Sequence, residues 1–130
     1  MRRLLAVVSG VLAVADGLAL AADDKPLGPV EARKKVGQEI TVKLEVKAAK
    51  DRLEQRGEIY LDAEEDFRSD KNFAVVITKE GAQSLREAGI ADPADHFKGK
   101  TIKAKGQVKE VDRVPRIEID DAKQISIAKD

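Results

Sequence analysis

The chain has no cysteine and no tryptophan, a single histidine, and an aromatic content of 3%. Without cysteine there are no disulfides and no thiolate metal sites. Small exported domains often depend on disulfides, so this one must rely on an apolar core, which about a hundred residues can build. The aromatics are Tyr60, Phe67, Phe73 and Phe97, few for a protein that stacks successive bases. Charge of one sign is missing too. The 24 basic and 24 acidic residues balance, so net charge draws the chain neither to nucleic acid nor to an anionic membrane, and any such binding needs a local patch. No G-x-S-x-G, phosphate-loop glycine cluster or H-E-x-x-H occurs, which leaves no enzyme constellation and no cofactor to expect. His96 lacks a Cys or second His partner and directly precedes Phe97, as a residue at a helix end or turn would.

What is present begins with an address. Arg2 and Arg3 precede an apolar run from Leu4 to Leu20, and Ala19-Leu20-Ala21 has the small-x-small pattern of a signal-peptidase site. Residues 1–21 therefore have the layout of a secretory signal peptide. An N-terminal membrane anchor is the alternative. The run is near the lower length for a span, roughly 17–25 residues, and Ser9, Gly10, Asp16 and Gly17 weaken it. No cysteine follows it, so no lipid anchor is expected. Cleavage after Ala21 would remove Arg2, Arg3 and Asp16 and leave 22 basic and 23 acidic residues, a net charge of −1. The expected product is exported, periplasmic or extracellular, monomeric and without a membrane span. Residues 22–28 are polar, contain Pro26, and read as a loose leader.

Pro29 suits a first helical turn, and Val30, Ala32, Arg33 and Val36 predict a short helix ended by Gly37. Ile40, Val42, Leu44, Val46 and Ala48 alternate with polar residues, the pattern of a strand with one buried face. Lys50 to Gly57 reads as a charged connection. Ile59, Leu61 and Ala63 make a second strand, with Tyr60 and Asp62 on its other face. Glu64 to Asn72 is a polar loop around Phe67. Phe73 to Thr78 is a third strand, apolar on both faces, so both are expected to be covered. Thr78 caps a helix to about Ala88, with Ala82 and Leu85 inward. Asp92-Pro93 starts another helical turn, and Phe97 plugs the core from it. Ile102, Ala104, Gly106 and Val108 mark a fourth strand. A turn at Asp112 and Arg113 leads to a fifth with Ile117 and Ile119, and Ile125 and Ile127 alternate in a last piece. Gly106 marks a bend or bulge.

A helix between strands three and four is the layout of an OB-fold, a five-stranded Greek-key barrel, here over residues 29–130 with a short N-terminal helix. The segments VEARKKVGQEITVKLEVK, FKGKTIKAKGQV and PRIEIDDAKQI together resemble small exported bacterial OB-fold proteins, over about Val30 to Ile127. The resemblance rests on turns and buried positions. It implies the fold, and among functions it implies either nucleic-acid binding or an envelope role.

OB-folds usually bind ligands across strands two and three, between the loops joining strands one to two and four to five. The first loop carries Lys50, Arg52 and Arg56, and the second carries Arg113, with Arg116 opening strand five. With Tyr60 as a stacking platform they are the candidate ligand-binding residues. Against them stand Asp62, Glu64, Glu65 and Asp66, which would repel phosphates beside the groove. Lys43, Lys47, Lys103, Lys105 and Lys109 read as a solvated stripe away from the site. Glu64, Glu65, Asp66 and Asp70 lack the spacing and glycine of a calcium loop, so no metal is expected. The expected function is non-catalytic binding of a small ligand or protein partner in the cell envelope. The alternative is weak nucleic-acid binding through the basic loops.

Overall fold

The computed structural model describes residues 25–128; the expected signal segment, 1–21, lies outside them. The strands are β1 (Glu39–Glu45), β2 (Ala48–Arg52), β3 (Glu58–Asp62), β4 (Ala74–Thr78), β5 (Thr101–Val111), β6 (Val114–Ile119) and β7 (Ile125–Ile127). The helices are α1 (Pro29–Ala32), α2 (Leu53–Arg56), α3 (Lys79–Glu87) and α4 (Pro93–Phe97), with a 3-10 turn at Ala122–Gln124. The sheet runs β1-β5-β6-β4-β3-β2, with β7 also on β5. Among the ladders between these described strands, the β4–β6 one alone is parallel.

The two ends of this path are neighbours in sequence, separated by Val46 and Lys47. The Val46 N–H donates to Lys100 O at 2.9 Å on one side, and the Lys47 N–H donates to Asp62 O at 2.9 Å on the other. One bent stretch therefore borders both edges. This changes the expected strand count from five to seven. The first strand bends at Val46 and continues as β2 where a charged connection was expected. Its outward residues, Lys50 and Arg52, are polar, so the alternating apolar signal stops at Ala48 although the strand does not. The C-terminal piece adds β7 through Ile102↔Ile127 and Ala104↔Ile125.

Inward residues of the strands form the core: Val42, Leu44, Ile59, Leu61, Val75, Ile77, Ile102, Val108, Ile117 and Ile119 are buried, together with Val46, Phe73 and Phe97. Removing their apolar surface from water is the main stabilising term, at about 25 cal/mol per Å². Helix α3 lies on this core through Ala82 and Leu85. Thr78 Oγ1 caps it, accepting from the Gly81 N–H at 3.1 Å. Gly81 is required there, since a Cβ would lie 1.9 Å from Ile119 O. Asp92 caps α4 in the same way, accepting from the Asp95 N–H at 3.3 Å.

Three local expectations change. Helix α1 ends at Ala32, leaving Val30 and Val36 exposed. Leu27, expected in a loose leader, pairs with Val42: its N–H donates to Thr41 O and its carbonyl accepts from the Lys43 N–H, both at 2.8 Å. Gly106 sits in an unbroken register, Ile40↔Gly106 between Thr41↔Lys105 and Glu39↔Gln107, so it marks no bulge. Space demands the glycine, because a Cβ would come within 2.8 Å of Ile117 Cγ2. The β5–β6 turn is the tight hairpin its polar residues predict: Asp112 and Arg113 both take positive φ, 52° and 69°, as a two-residue hairpin of type I′ requires. Gln124 explains the Q-I ending. Its amide oxygen accepts from the Asp120 and Asp121 N–H groups, and its Nε2 donates to Lys105 O and Glu118 O.

Candidate functional site

Alternation sends one set of side chains from β2, β3, β4 and β6 away from the core. The registers align Lys50, Tyr60, Val76 and Glu118 in one row and Ala48, Asp62, Ala74 and Arg116 in the next. Over this face lies a groove of about 470 Å³. Ala74 and Val76 floor it. Lys50, Arg52, Gln55 and Arg56 from β2 and α2 form one wall, and Val111, Asp112 and Val114 from the β5–β6 hairpin form the other. Tyr60, Asp62, Arg116 and Phe67 complete the lining. Helix α2, which carries Gln55 and Arg56, is set off from β2 by Asp51, whose Oδ1 accepts from the Leu53 N–H at 3.0 Å.

Five of the six candidate residues line this groove: Lys50, Arg52, Arg56, Tyr60 and Arg116. Arg113 does not; its backbone sits at the hairpin tip and its side chain is outside the lining. Arg116 departs from its expected role as a solvated rim cation. It is 9% exposed, and its Nη1 donates to Glu58 Oε2 at 2.9 Å and Glu118 Oε2 at 3.4 Å. That guanidinium is committed to two carboxylates, which leaves Lys50, Arg52 and Arg56 as the other cations of the lining. Among the described residues none of these three is in an ion pair.

The Tyr60 hydroxyl donates to Glu58 Oε1 at 2.7 Å. Burial works against ionising Glu58, but this hydroxyl and Arg116 outweigh it and hold the carboxyl below its usual pKa. Burial and the Glu58 carboxylate together push the Tyr60 pKa up, so Tyr60 stays a neutral ring with its hydroxyl fixed.

Asp62 was expected on the outer face of the second strand, among the carboxylates that would repel phosphates beside the groove. It is 2% exposed. Burial pushes its pKa up, against the pull of Asn72 and Lys50. Its position depends on Asn72, fully buried, which sequence reasoning passed over. Asn72 Nδ2 donates to Asp62 Oδ1 and to Phe67 O, both at 3.1 Å, and its Oδ1 accepts from the Glu64 N–H at 3.0 Å. The Arg33 guanidinium donates to the Asn72 carbonyl. One side chain thus ties the start, middle and end of the 64–71 loop. Phe67, also missed, is 45% exposed. Lys50 Nζ lies 4.8 Å and Arg68 Cζ 5.6 Å from its ring centre, within cation–π range. Its signal was an aromatic alone among charged residues, where no core demanded it.

No family model matches the sequence, and no curated protein matches it. Solved structures do. The asparaginyl-tRNA synthetase of Pyrococcus horikoshii matches with a TM-score of 0.53 at 11% identity, over 81% of this chain and 23% of that one. The aspartyl-tRNA synthetase of Entamoeba histolytica matches with a TM-score of 0.54 at 13% identity, over 88% of this chain and 24% of that one. The chain thus spans about a quarter of the length of either synthetase. The likeness is one of fold. With the bent strand bordering both sheet edges and the helices between β4 and β5, it defines a mainly β, OB-like protein.

Proposed function

We propose that this OB-like chain binds single-stranded nucleic acid, weakly and without catalysis, along the groove over β2, β3, β4 and β6. The observation that carries the reading is the lining: an apolar floor of Ala74 and Val76, two aromatic rings, Tyr60 and Phe67, and three cations free of ion pairs among the described residues. Stacked bases over a groove that also meets the backbone with cations is the mode of sequence-tolerant single-strand binding. Two structures of like fold are tRNA synthetases, whose names give them an RNA substrate; this supports the reading at the level of fold. The basic start and apolar run of residues 1–21 support export as a further part of it, with intact-mass measurement of the secreted fraction as the check.

Three cations give a weak complex, in the non-specific range of about 10⁻⁴–10⁻⁶ M. Fluorescence anisotropy with thymine nonamers tests this. Three phosphate contacts predict a log–log salt slope of about −2, so affinity falls roughly twentyfold between about 50 and 200 mM salt. Absence of binding at millimolar protein, or binding indifferent to salt, would sink the reading.

A further inference from the structure

We infer that Asp62 selects the base: its carboxylate accepts the adjacent N1–H and N2–H donors of a guanine lying over the groove floor beside Tyr60. This rests on the nucleic-acid reading of the groove and adds a preference to it.

A carboxylate this buried is costly unless its oxygens are satisfied, because taking it from water loses several kcal/mol. Asp62 Oδ1 has Asn72 as donor at 3.1 Å. No donor among the described residues reaches Oδ2, and Asp62 lines the groove. If Asp62 only held Asn72 in place, one neutral amide oxygen would serve, without a buried charge. The second oxygen is left for something that enters the groove.

The register shows what fits. Asp62 stands between Ala48 and Ala74 on the neighbouring strands, and neither methyl group extends over the carboxylate. Tyr60, two residues back on the same face, is roughly 7 Å away along the strand, a gap that a purine bridges. Arg52 pairs with Glu58, at the opposite end of β3 from Asp62. A nucleotide with its phosphate at Arg52 and Arg56 therefore directs its base edge toward Asp62.

The chemistry then chooses among bases. A carboxylate presents two acceptors side by side. Guanine offers two donors side by side, N1–H and the N2 amino group. Adenine and cytosine place an acceptor next to their amino group, and thymine and uracil flank their one N–H with carbonyls. Guanine alone forms the bidentate, charge-assisted pair that is the strong form of such contacts. Reading the Watson–Crick edge in this way is open to proteins that bind unpaired strands.

The test uses the full chain and thymine nonamers whose central base is guanine, hypoxanthine, adenine or thymine. Guanine should bind tighter than thymine by about ten- to a hundredfold, the discrimination of one bidentate pair. Hypoxanthine, which lacks the N2 amino group, should fall between, and adenine should match thymine. Asp62→Asn should abolish the preference, so that guanine and thymine nonamers bind the variant alike, since the remaining phosphate contacts carry no sequence information. The hypoxanthine series needs only the native protein, so a variant that fails to fold does not spoil the test. Equal binding of all four nonamers overturns the role of Asp62 and leaves the groove reading standing. A guanine preference that survives in folded Asp62→Asn also overturns it. Failure of every nonamer to bind overturns both.

Discussion

Two basic regions of this molecule invite different conclusions. On β1 and β5, Lys43 stands opposite Lys103 and Thr41 opposite Lys105, while Lys109 pairs with Glu118 at 3.2 Å. On β2, α2 and β3, Lys50, Arg52 and Arg56 stand around Ala74, Val76 and two aromatic rings. The cations are similar in number and the surroundings are not. Lys43 and Lys103, both half-buried, lie outside the lining of that groove, and in water a pair of unit charges 4 Å apart interacts by only about 1 kcal/mol. The second group lies beside a concave apolar floor, where a lower local dielectric strengthens a polar contact. Concavity and floor separate this groove from the basic face on β1 and β5; the count of lysines and arginines does not.

The contrast can be broken at several points. The severest is the shared core. Leu44→Ala, beneath the β1 stripe, should cost about 2–5 kcal/mol in denaturant unfolding, and a loss no larger than that of its neighbour Lys43 would refute the register of β1. Next is Asn72→Ala, which frees three buried or half-buried partners. It should cost about 2–3 kcal/mol and raise the exposure of Phe67 to protease, an effect with no counterpart in the lysine stripe.

Arg116 and Arg56 then divide structure from binding. Arg116→Ala should cost about 1–2 kcal/mol, less than for a fully buried pair because Glu58 and Glu118 keep some water. Arg56→Ala should leave stability unchanged and make the salt slope shallower by about 0.7. If Arg116→Ala instead changed only the slope, Arg116 would be a phosphate contact after all. A smaller effect follows from Glu58. Its pKa is depressed in the folded state, so its contribution is present above the unfolded value of 4.5 and is lost as pH falls through the folded pKa below it. Glu58→Gln should flatten the stability profile below pH 4.5, as acid titration by circular dichroism would show. Smallest of all, Lys43→Ala and Lys103→Ala should each stay within about 0.5 kcal/mol and leave oligonucleotide affinity unchanged. A drop in affinity from either would move the interface to the other face.

Much of the frame was legible because it is written in local chemistry. The alternation of Val42, Leu44, Ile102 and Val108, the caps at Thr78 and Asp92, and the turn at Asp112 each depend on a few adjacent residues. Strand β2 was hidden because both Lys50 and Arg52 are polar although the backbone pairs on one side only, at the end of the sheet path. The Asp62–Asn72 pair was hidden for another reason. Burial there requires the chain to leave β3, turn through Phe67 and return, and nothing in the residues EEDFRSD announces that return. Five groove residues came from knowing which loops of such a fold meet. What each one does depended on partners, such as Glu58 against Arg116, that only the register brings together.

The bend at Val46 and Lys47 has a consequence in time. Strand β1 has no ladder with the strand that follows it and finds its partner in β5, near the far end of the chain. Until Thr101–Val111 has been synthesised and brought back, β1 has among the described residues only the single bridge from Leu27 to Val42 as a paired neighbour. Contacts of such long sequence separation place strand-rich domains among the slower folders, in milliseconds to seconds. A stopped-flow trace should therefore be slow for a chain this short, with Ile102→Val slowing it and substitutions confined to the β2–β3 pairing changing mainly the unfolding rate.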